Sequence, residues 1–472
     1  MYRKHTKIVA TVGPASNHDQ IVKQLIKKGV NVFRLNFSHG DYRQHEESID
    51  RIRRISRQLK LPVAILQDLG GPKIRIGDFA DKEINLLAGR TFILTTRQVV
   101  GRQDIVSLNY KKLPQEVKAG DILFLDDGKK KLKVEAIKNK TDIICRVLVG
   151  GRIKSRRGLN APDPLLSIRS LTPKDRRDVL FGLKHGVDFI AMSFVRSRSD
   201  IESLRRLVDS QKGRAKIIAK IETKEAIEDL DNIIAAADGV MVARGDLAIE
   251  IPAEDVPVVQ KDIIAKCNQT GRPVITATQM LGSMALQPFP TRAEVNDVAN
   301  AIFDGTDAVM LSEETATGLY PILAVELMQR IACRIEQTTF HEDRLSREHL
   351  SFKSVVDAFS YAAINMTHEI NGRAIVALSR SGYTARMVAR YRPSVPLLVL
   401  TPEEITYRQL ALTYACYPVL VPPFNTTKKA VAIAKKTLLK KGLVAKGDQV
   451  IIIAGIPFNV SGSINLLLAE KI

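Results

Sequence analysis

Lys220 and Glu222 stand two apart at the end of an apolar run, Ile217-Ile218-Ala219. On an extended strand that spacing puts both side chains on one face, an ammonium beside a carboxylate. The pair could be a salt bridge closing a strand, or part of a site for a divalent ion. Asp246 follows a second run, Val240-Met241-Val242, and offers further oxygen ligands. Two carboxylates without a soft ligand suit Mg²⁺, which keeps waters and substrate oxygens around it. Arg34, after Val32-Phe33, carries the parallel donors that clamp an oxyanion, or that pair with an acid on a barrel rim. Asn36 and Ser38 add neutral oxygens, and Gly245 can free a backbone N–H for a small anion. Thr278 and Ser312 are hydroxyls that could bind or relay a proton, though most such groups only satisfy backbone. His39 is isolated, and packing or capping accounts for it better than catalysis does.

The elements that must position these groups are legible as short apolar runs at residues 7–11, 30–35, 63–66, 189–192, 216–219, 239–242, 274–276 and 308–310. Amphipathic stretches at 41–59, 199–211 and 256–270 lie between them, and Thr291-Arg292-Ala293-Glu294 is a capping box that opens another. Eight buried strands alternating with helices suit a (β/α)₈ barrel whose strand-terminal loops carry the site; a doubly wound open sheet is the alternative.

Residues 72–169 break the series with short β-rich runs at 91–95, 122–125, 131–136 and 143–149, separated by Gly, Asp and Lys turns. This predicts a small β-domain inserted between barrel elements. It holds 21 Lys plus Arg against 11 Asp plus Glu, half of the chain's excess positive charge. Arg75, Arg156 and Arg157 belong to it and could reach nucleotide phosphates or stay solvated, and Gly70-Gly71 reads as its hinge. After a polar stretch at 338–351, a helix at 355–370 and strands at 374–378, 397–400, 418–421 and 450–454 form a separate α/β domain. There Ser379-Arg380-Ser381-Gly382-Tyr383-Thr384 links a strand to a helix, as a phosphate nest or as an ordinary capped turn. A second loop at 455–463 could close over it. The expected units are 1–71 with 170–340, 72–169, and 341–472.

The chain has 472 residues, 71 Lys plus Arg and 51 Asp plus Glu, a net charge of +20 that attracts polyanions of some kind. No apolar run is long enough for a membrane span, and Met1-Tyr2-Arg3-Lys4-His5 lacks the form of a secretory signal. Four cysteines without metal-like spacing point to reduced thiols in a cytoplasm. The absence of Trp and the 5% aromatic content argue against base-stacking surfaces, so no nucleic-acid partner and no membrane partner is expected. No P-loop, GxGxxG, protein-kinase, HExxH or GxSxG motif falls where it would matter.

Taken in order, these strings closely resemble the pyruvate kinase family. The resemblance rests on Thr6-Lys7-Ile8-Val9-Ala10-Thr11-Val12-Gly13-Pro14-Ala15-Ser16, Arg34-Leu35-Asn36-Phe37-Ser38-His39-Gly40 and Ile218-Ala219-Lys220-Ile221-Glu222. It continues through Met241-Val242-Ala243-Arg244-Gly245-Asp246-Leu247, Ile275-Thr276-Ala277-Thr278-Gln279-Met280-Leu281 and the stretch 290–312. It implies a (β/α)₈ barrel with an inserted β-barrel lid and a C-terminal α/β effector domain, assembled as a homotetramer. The implied reaction, the last step of glycolysis, moves a phosphoryl group from phosphoenolpyruvate to ADP, giving pyruvate and ATP. Carried over by position, Glu222 and Asp246 match the ligands of Mg²⁺, for which Mn²⁺ can substitute. Arg34 and Lys220 match contacts to the transferring phosphoryl, and Gly245, Asp246 and Thr278 match the substrate-carboxylate site. Asn36, His39 and Arg75 match nucleotide contacts, Arg156 and Arg157 basic lid residues, and Ser312 a hydroxyl of the proton-delivering water network. Ser379, Arg380, Ser381, Gly382 and Thr384 match the loop that takes a phosphorylated effector.

The sequence departs from the family at Asp68-Leu69-Gly70-Gly71-Pro72-Lys73, where potassium-requiring members carry Asp-Thr-Lys-Gly-Pro-Glu. Leu69 removes a hydroxyl ligand and Lys73 places an ammonium where a glutamate works beside K⁺, so K⁺ is expected not to be required. Gly282 and Glu313 also depart, without touching an implied ligand. Two rival classes were weighed. A barrel lyase or aldolase handling the same enolate has no need of a basic lid suited to ADP. A nucleic-acid binder would need a recognition motif that the chain lacks.

Overall fold

The eight apolar runs become eight parallel strands that close into a barrel in chain order. They are Lys7–Thr11, Val32–Asn36, Ala64–Asp68, Phe189–Met192, Lys216–Ile221, Gly239–Ala243, Val274–Ala277 and Ala308–Leu311. The computed structural model describes residues 4–163, 166–338, 354–423, 426–456 and 463–472. Register is continuous around the ring, from Val9↔Val32 between the first two strands to Lys7↔Ala308 where the eighth meets the first. The strands are apolar on both faces because each face has its own core. Side chains such as Val9, Leu66, Ile218, Met241 and Met310 fill the barrel interior. Ile8, Phe33, Ile65, Ile190 and Val242 face outward against the helices.

The helices take their places for local reasons. In Tyr42–Leu59, Asp41 caps the backbone N–H of Gln44, whose side chain caps Asp41 in return; Ile49, Ile52 and Ile55 make the buried stripe. Thr291 and Glu294 cap Arg292–Phe303 in the same way, as their spacing predicts. Most barrel strands are buried throughout. The half-buried exceptions are Arg34 and Asn36 on the second strand, with Lys216 and Lys220 on the fifth.

Between the third and fourth strands lies a seven-stranded sheet with its own core of Leu94, Val106, Leu123, Leu125, Leu132, Val134 and Ile143. Its edge strands, Ile74–Arg75 and Ile105–Ser107, meet through an Ile76↔Leu108 bridge; the N–H groups of Gly77 and Asn109 donate to Ser107 and Arg75. The sheet thus curls toward closure. Its hairpin tip, Asp126-Asp127-Gly128, has positive φ at all three residues and reaches the barrel, where Gly128 lies against Ile249.

The C-terminal sheet has five strands, in the order Cys416–Leu420, Leu397–Thr401, Ala374–Leu378, Gln449–Ala454 and Leu466–Lys471. Four are parallel, and the last is an antiparallel edge strand that the apolar pattern did not suggest. This domain stops the N-terminal end of the barrel. Ala411 and Leu412, on the short 3₁₀ helix Leu410–Leu412, join the barrel's interior cluster. Arg392, almost wholly buried, donates to both oxygens of Asp307 at 3.0 and 2.9 Å and lies over the Tyr414 ring. Arg408 and Arg53 both pair with the buried carboxylate of Asp188, each at 2.7 Å.

Candidate active site

The opposite, C-terminal end of the barrel carries the polar residues. Arg34 ends its side chain on Asp68, Nε to Oδ2 at 2.6 Å, while its Nη1 donates to Thr11 Oγ1 at 3.1 Å. The Lys220 ammonium lies 2.7 Å from Glu222 Oε1 and 3.3 Å from Asp68 Oδ1, and donates to Ser193 Oγ at 2.7 Å. Strand ends two, three, four and five therefore share one network. Burial works to lower Lys220, but Asp68 and Glu222 outweigh it and hold the ammonium above the ordinary lysine range. Burial likewise works to raise Asp68, and Lys220 and Arg34 overcome it, keeping the carboxyl below its usual value.

Glu222 is buried, with the Phe194 N–H donating to Oε2 at 2.8 Å. Burial raises its carboxyl; Lys220 opposes this, and the charge of Asp246 adds to it. The two acids thus press on each other from adjoining strand ends, the arrangement a hard divalent cation relieves. Among the described residues no group of three or more metal-ligating side chains forms. Two carboxylates with the remaining positions left to water and substrate oxygens fit Mg²⁺.

Lys73 stands between barrel and insert, 3.7 Å from Asp246 Oδ1 and 3.3 Å from Asp127 Oδ1. His39 is pushed below its ordinary value, first by burial and then by the charges of Arg75, Arg34 and Lys73. Gly71 has φ +64°, and a Cβ there would lie 2.8 Å from the Phe194 ring and 3.1 Å from Ser193, so the chain entering the insert passes close beside the Lys220 partner.

On the other side of the rim, Gly245 N–H donates to Thr278 Oγ1 at 2.9 Å, and Thr278 Oγ1 donates to the Ala277 carbonyl at 2.6 Å. Glu314 accepts from the N–H groups of Leu281 (3.1 Å) and Ser312 (2.7 Å), tying the seventh and eighth strand ends together. Asn36 Oδ1 accepts the Ser38 N–H in a local turn. The insert arginines divide. Arg157 pairs with Asp126 at the hairpin tip (3.3 Å), whereas exposed Arg156 is held by both oxygens of Asp78 on the insert itself. Arg75 donates to the Arg156 carbonyl at 3.2 Å.

In the C-terminal domain, Ser379 and Thr384 are buried, Arg380 pairs with Glu403 at 2.9 Å, and the Ser381 carbonyl accepts from Arg386 at 3.3 Å. Gly382, at φ +77°, starts the helix Tyr383–Ala389. Of the second loop expected there, 455–463, residues 457–462 lie outside the described residues.

Asp68 and Ser193 are the residues that the sequence reading left without a role. Asp68 stood in plain view at the end of the third strand, and its register partner Asn36 was already assigned. Ser193 follows the fourth strand, whose end carried no charge to draw notice.

A parallel (β/α)₈ barrel, a basic β-insert over its C-terminal rim, and an ammonium, a guanidinium and two cation-ready carboxylates on that rim define a barrel phosphotransferase. Residues 3–325 match the model of the pyruvate kinase barrel domain, and residues 357–468 that of the pyruvate kinase alpha/beta domain. The chain belongs to the pyruvate kinase family and is an enzyme with that activity. It is 45% identical to pyruvate kinase 2 of Synechocystis, over 99% of this chain and 79% of that one. It is 42% identical to the pyruvate kinase of Clostridium perfringens, over 99% of both chains. A crystal structure of a pyruvate kinase from Cryptosporidium parvum superposes with a TM-score of 0.93 at 34% identity, covering 99% of this chain and 96% of that one.

Proposed function

We propose that the chain transfers the phosphoryl group of phosphoenolpyruvate to ADP on the C-terminal rim, independently of K⁺. The observation that carries this reading is the shared network of Arg34, Asp68, Lys220 and Glu222, built from strand ends two, three and five with Asp246 adjoining. Glu222 and Asp246 would hold Mg²⁺, whose charge, once bound, offsets that on the phosphoryl and enolate oxygens. Arg34 and Lys220 orient the phosphoryl group as its bond to the enolate oxygen breaks and a bond to a terminal ADP oxygen forms. Lys220, kept charged by two acids, stabilises the enolate and does not serve as its proton source. The Gly245 N–H donates to the Thr278 hydroxyl, whose own hydrogen goes to the Ala277 carbonyl; a substrate carboxylate would draw both donors to itself. A proton relayed from solvent through water held by Thr278 and Ser312 would reach the methylene carbon, completing pyruvate without leaving hydroxide behind.

Asn36, His39 and Arg75 face the nucleotide, and Arg157, with Arg156 beside it, approaches from the insert as it closes and excludes water. Lys73, beside Asp246, supplies the positive charge that K⁺ gives other members. The Ser379–Thr384 loop takes a phosphorylated small-molecule activator. Exposed Leu286, Phe289 and Leu319 lie on adjoining loops and Leu466–Lys471 is an open sheet edge, surfaces that suit a homotetramer. Four free cysteines, three of them buried, suit the cytoplasm; no helix among the described residues is long and apolar enough to cross a membrane.

Pyruvate formation from phosphoenolpyruvate, followed with and without ADP and Mg²⁺, tests the reaction. Both additions are expected to be obligatory, and Glu222→Gln and Asp246→Asn each to lower kcat by about 10²–10³-fold or more. Turnover surviving both substitutions together would overturn the site. Sugar phosphates and nucleoside monophosphates that leave the phosphoenolpyruvate KM unchanged would overturn the activator loop.

A further inference from the structure

Thr278 and Gln279 both have positive φ, +67° and +56°. Neither is glycine, and the left-handed region is unfavourable for such residues, most of all for a β-branched side chain. Two in succession persist only where neighbours over-determine the turn. The neighbour here is Arg244, buried at the first position of the short helix Arg244–Glu250 that bears Gly245 and Asp246. Its Nε donates to the Ala277 carbonyl at 3.2 Å and its Nη2 to the Thr278 carbonyl at 2.6 Å. In an extended strand successive carbonyls point to opposite sides. One planar guanidinium can receive both only because the chain has turned between them. Nη1 is anchored 2.7 Å from Asp297 Oδ1, on the capped helix Arg292–Phe303.

We infer that Arg244 is a positioning residue for the reaction: it locks the end of the seventh strand in its left-handed turn and so sets the Thr278 hydroxyl against the Gly245 N–H. The inference rests on the reading of Thr278 as a substrate-carboxylate ligand. Arg244 itself touches no reacting atom. Lysine cannot replace it, because a single ammonium lacks the fork that spans two carbonyls and a carboxylate.

Arg244→Lys, Gln279→Gly, their combination and Thr278→Val separate the possibilities. Arg244→Lys is expected to lower kcat/KM for phosphoenolpyruvate by about 10–100-fold, as small misplacements of binding groups do. The KM for ADP should stay within about twofold, because the displaced group lies on the phosphoenolpyruvate side of the site. Gln279 is exposed, and glycine there removes one left-handed penalty, so Gln279→Gly in the Arg244→Lys background should recover about fivefold or more. A role confined to general stability predicts no such rescue. Arg244→Lys at wild-type efficiency, or a loss shared with ADP and not rescued by glycine, overturns the inference. If Arg244→Lys does not fold, Asp297→Asn is read instead; a loss specific to phosphoenolpyruvate and rescued by Gln279→Gly supports the clamp, and any other result overturns it. Thr278→Val at full turnover would remove the premise, whereas a loss there beside an unaffected Arg244→Lys would overturn the clamp alone.

Discussion

A single ammonium, that of Lys73, stands within ion-pair distance of Asp246 on the barrel and Asp127 on the insert. Free monovalent cations have no such tether, so this positive charge arrives with the chain. Initial rates in Na⁺-free Tris should change less than about twofold on adding K⁺, whereas Lys73→Met should lose about 10²-fold. Strong activation of the unaltered enzyme by K⁺ would refute the assignment. Residue identity carried much of this site. Lys220, Glu222, Asp246, Arg34 and Thr278 were marked by what they are and by the apolar runs before them. Asp68 and Ser193 were not, because a buried acid's partners and a hydroxyl's target exist only once four strand ends are side by side. Arg244 carries no such mark, since nothing in its type reveals which carbonyls it will meet.

At the level of elements, the contact between barrel and insert contains a titrating group outside the reaction. Glu250, at the end of the helix that follows the sixth strand, receives a long hydrogen bond, 3.5 Å, from Asn160 on the insert's returning strand. Burial drives its carboxyl up; the Asn160 hydrogen bond opposes this, and Glu225, Asp246 and Glu222 add to it, so the carboxyl stands at about 7. Between the ordinary glutamate value and 7 the folded chain holds a proton that the unfolded chain lacks. Stability therefore falls as pH rises through that window and levels off above it. Glu250→Gln should flatten the slope and stabilise the protein at pH 8 by about 1–3 kcal/mol, visible as a higher thermal midpoint. An unchanged slope between pH 5 and pH 8 would contradict this. Element existence was readable from apolar runs, and element ends were not. The second, third and fifth strands continue past the last apolar residue of the expected run, through Asn36, Gln67-Asp68 and Lys220. Polar site residues look like loop in a sequence, yet the ladder of the neighbouring strand keeps them extended. The short insert strands at Ile105–Ser107 and Gly158–Asn160, and the edge strand Leu466–Lys471, were missed because pairing, not hydrophobic pattern, defines them.

For the whole molecule, the arrangement of chemistry at one end and stopper at the other sets what can be removed. Asp307 accepts from Arg392, from the Tyr414 N–H and from the Val274 N–H; Asp188 accepts from Arg53, Arg408 and the Ile65 N–H. Cutting the chain after residue 338 would withdraw Arg392, Arg408, Leu412 and Tyr414 together. It would leave buried acids short of their partners and the interior cluster open to water, a loss of about 3–5 kcal/mol for each broken buried pair. Such a fragment is expected to be insoluble or to lack a cooperative thermal transition; a soluble, cooperatively melting fragment would show that the stopper is dispensable. The wider bearing is on ancestry. A tube whose base is furnished by a neighbour cannot be traded freely between genes, because any replacement would need the same apolar stopper flanked by two arginines at matching places. The halves are thus bound to travel through descent as a matched set, and a change that loosens one must be answered in the other.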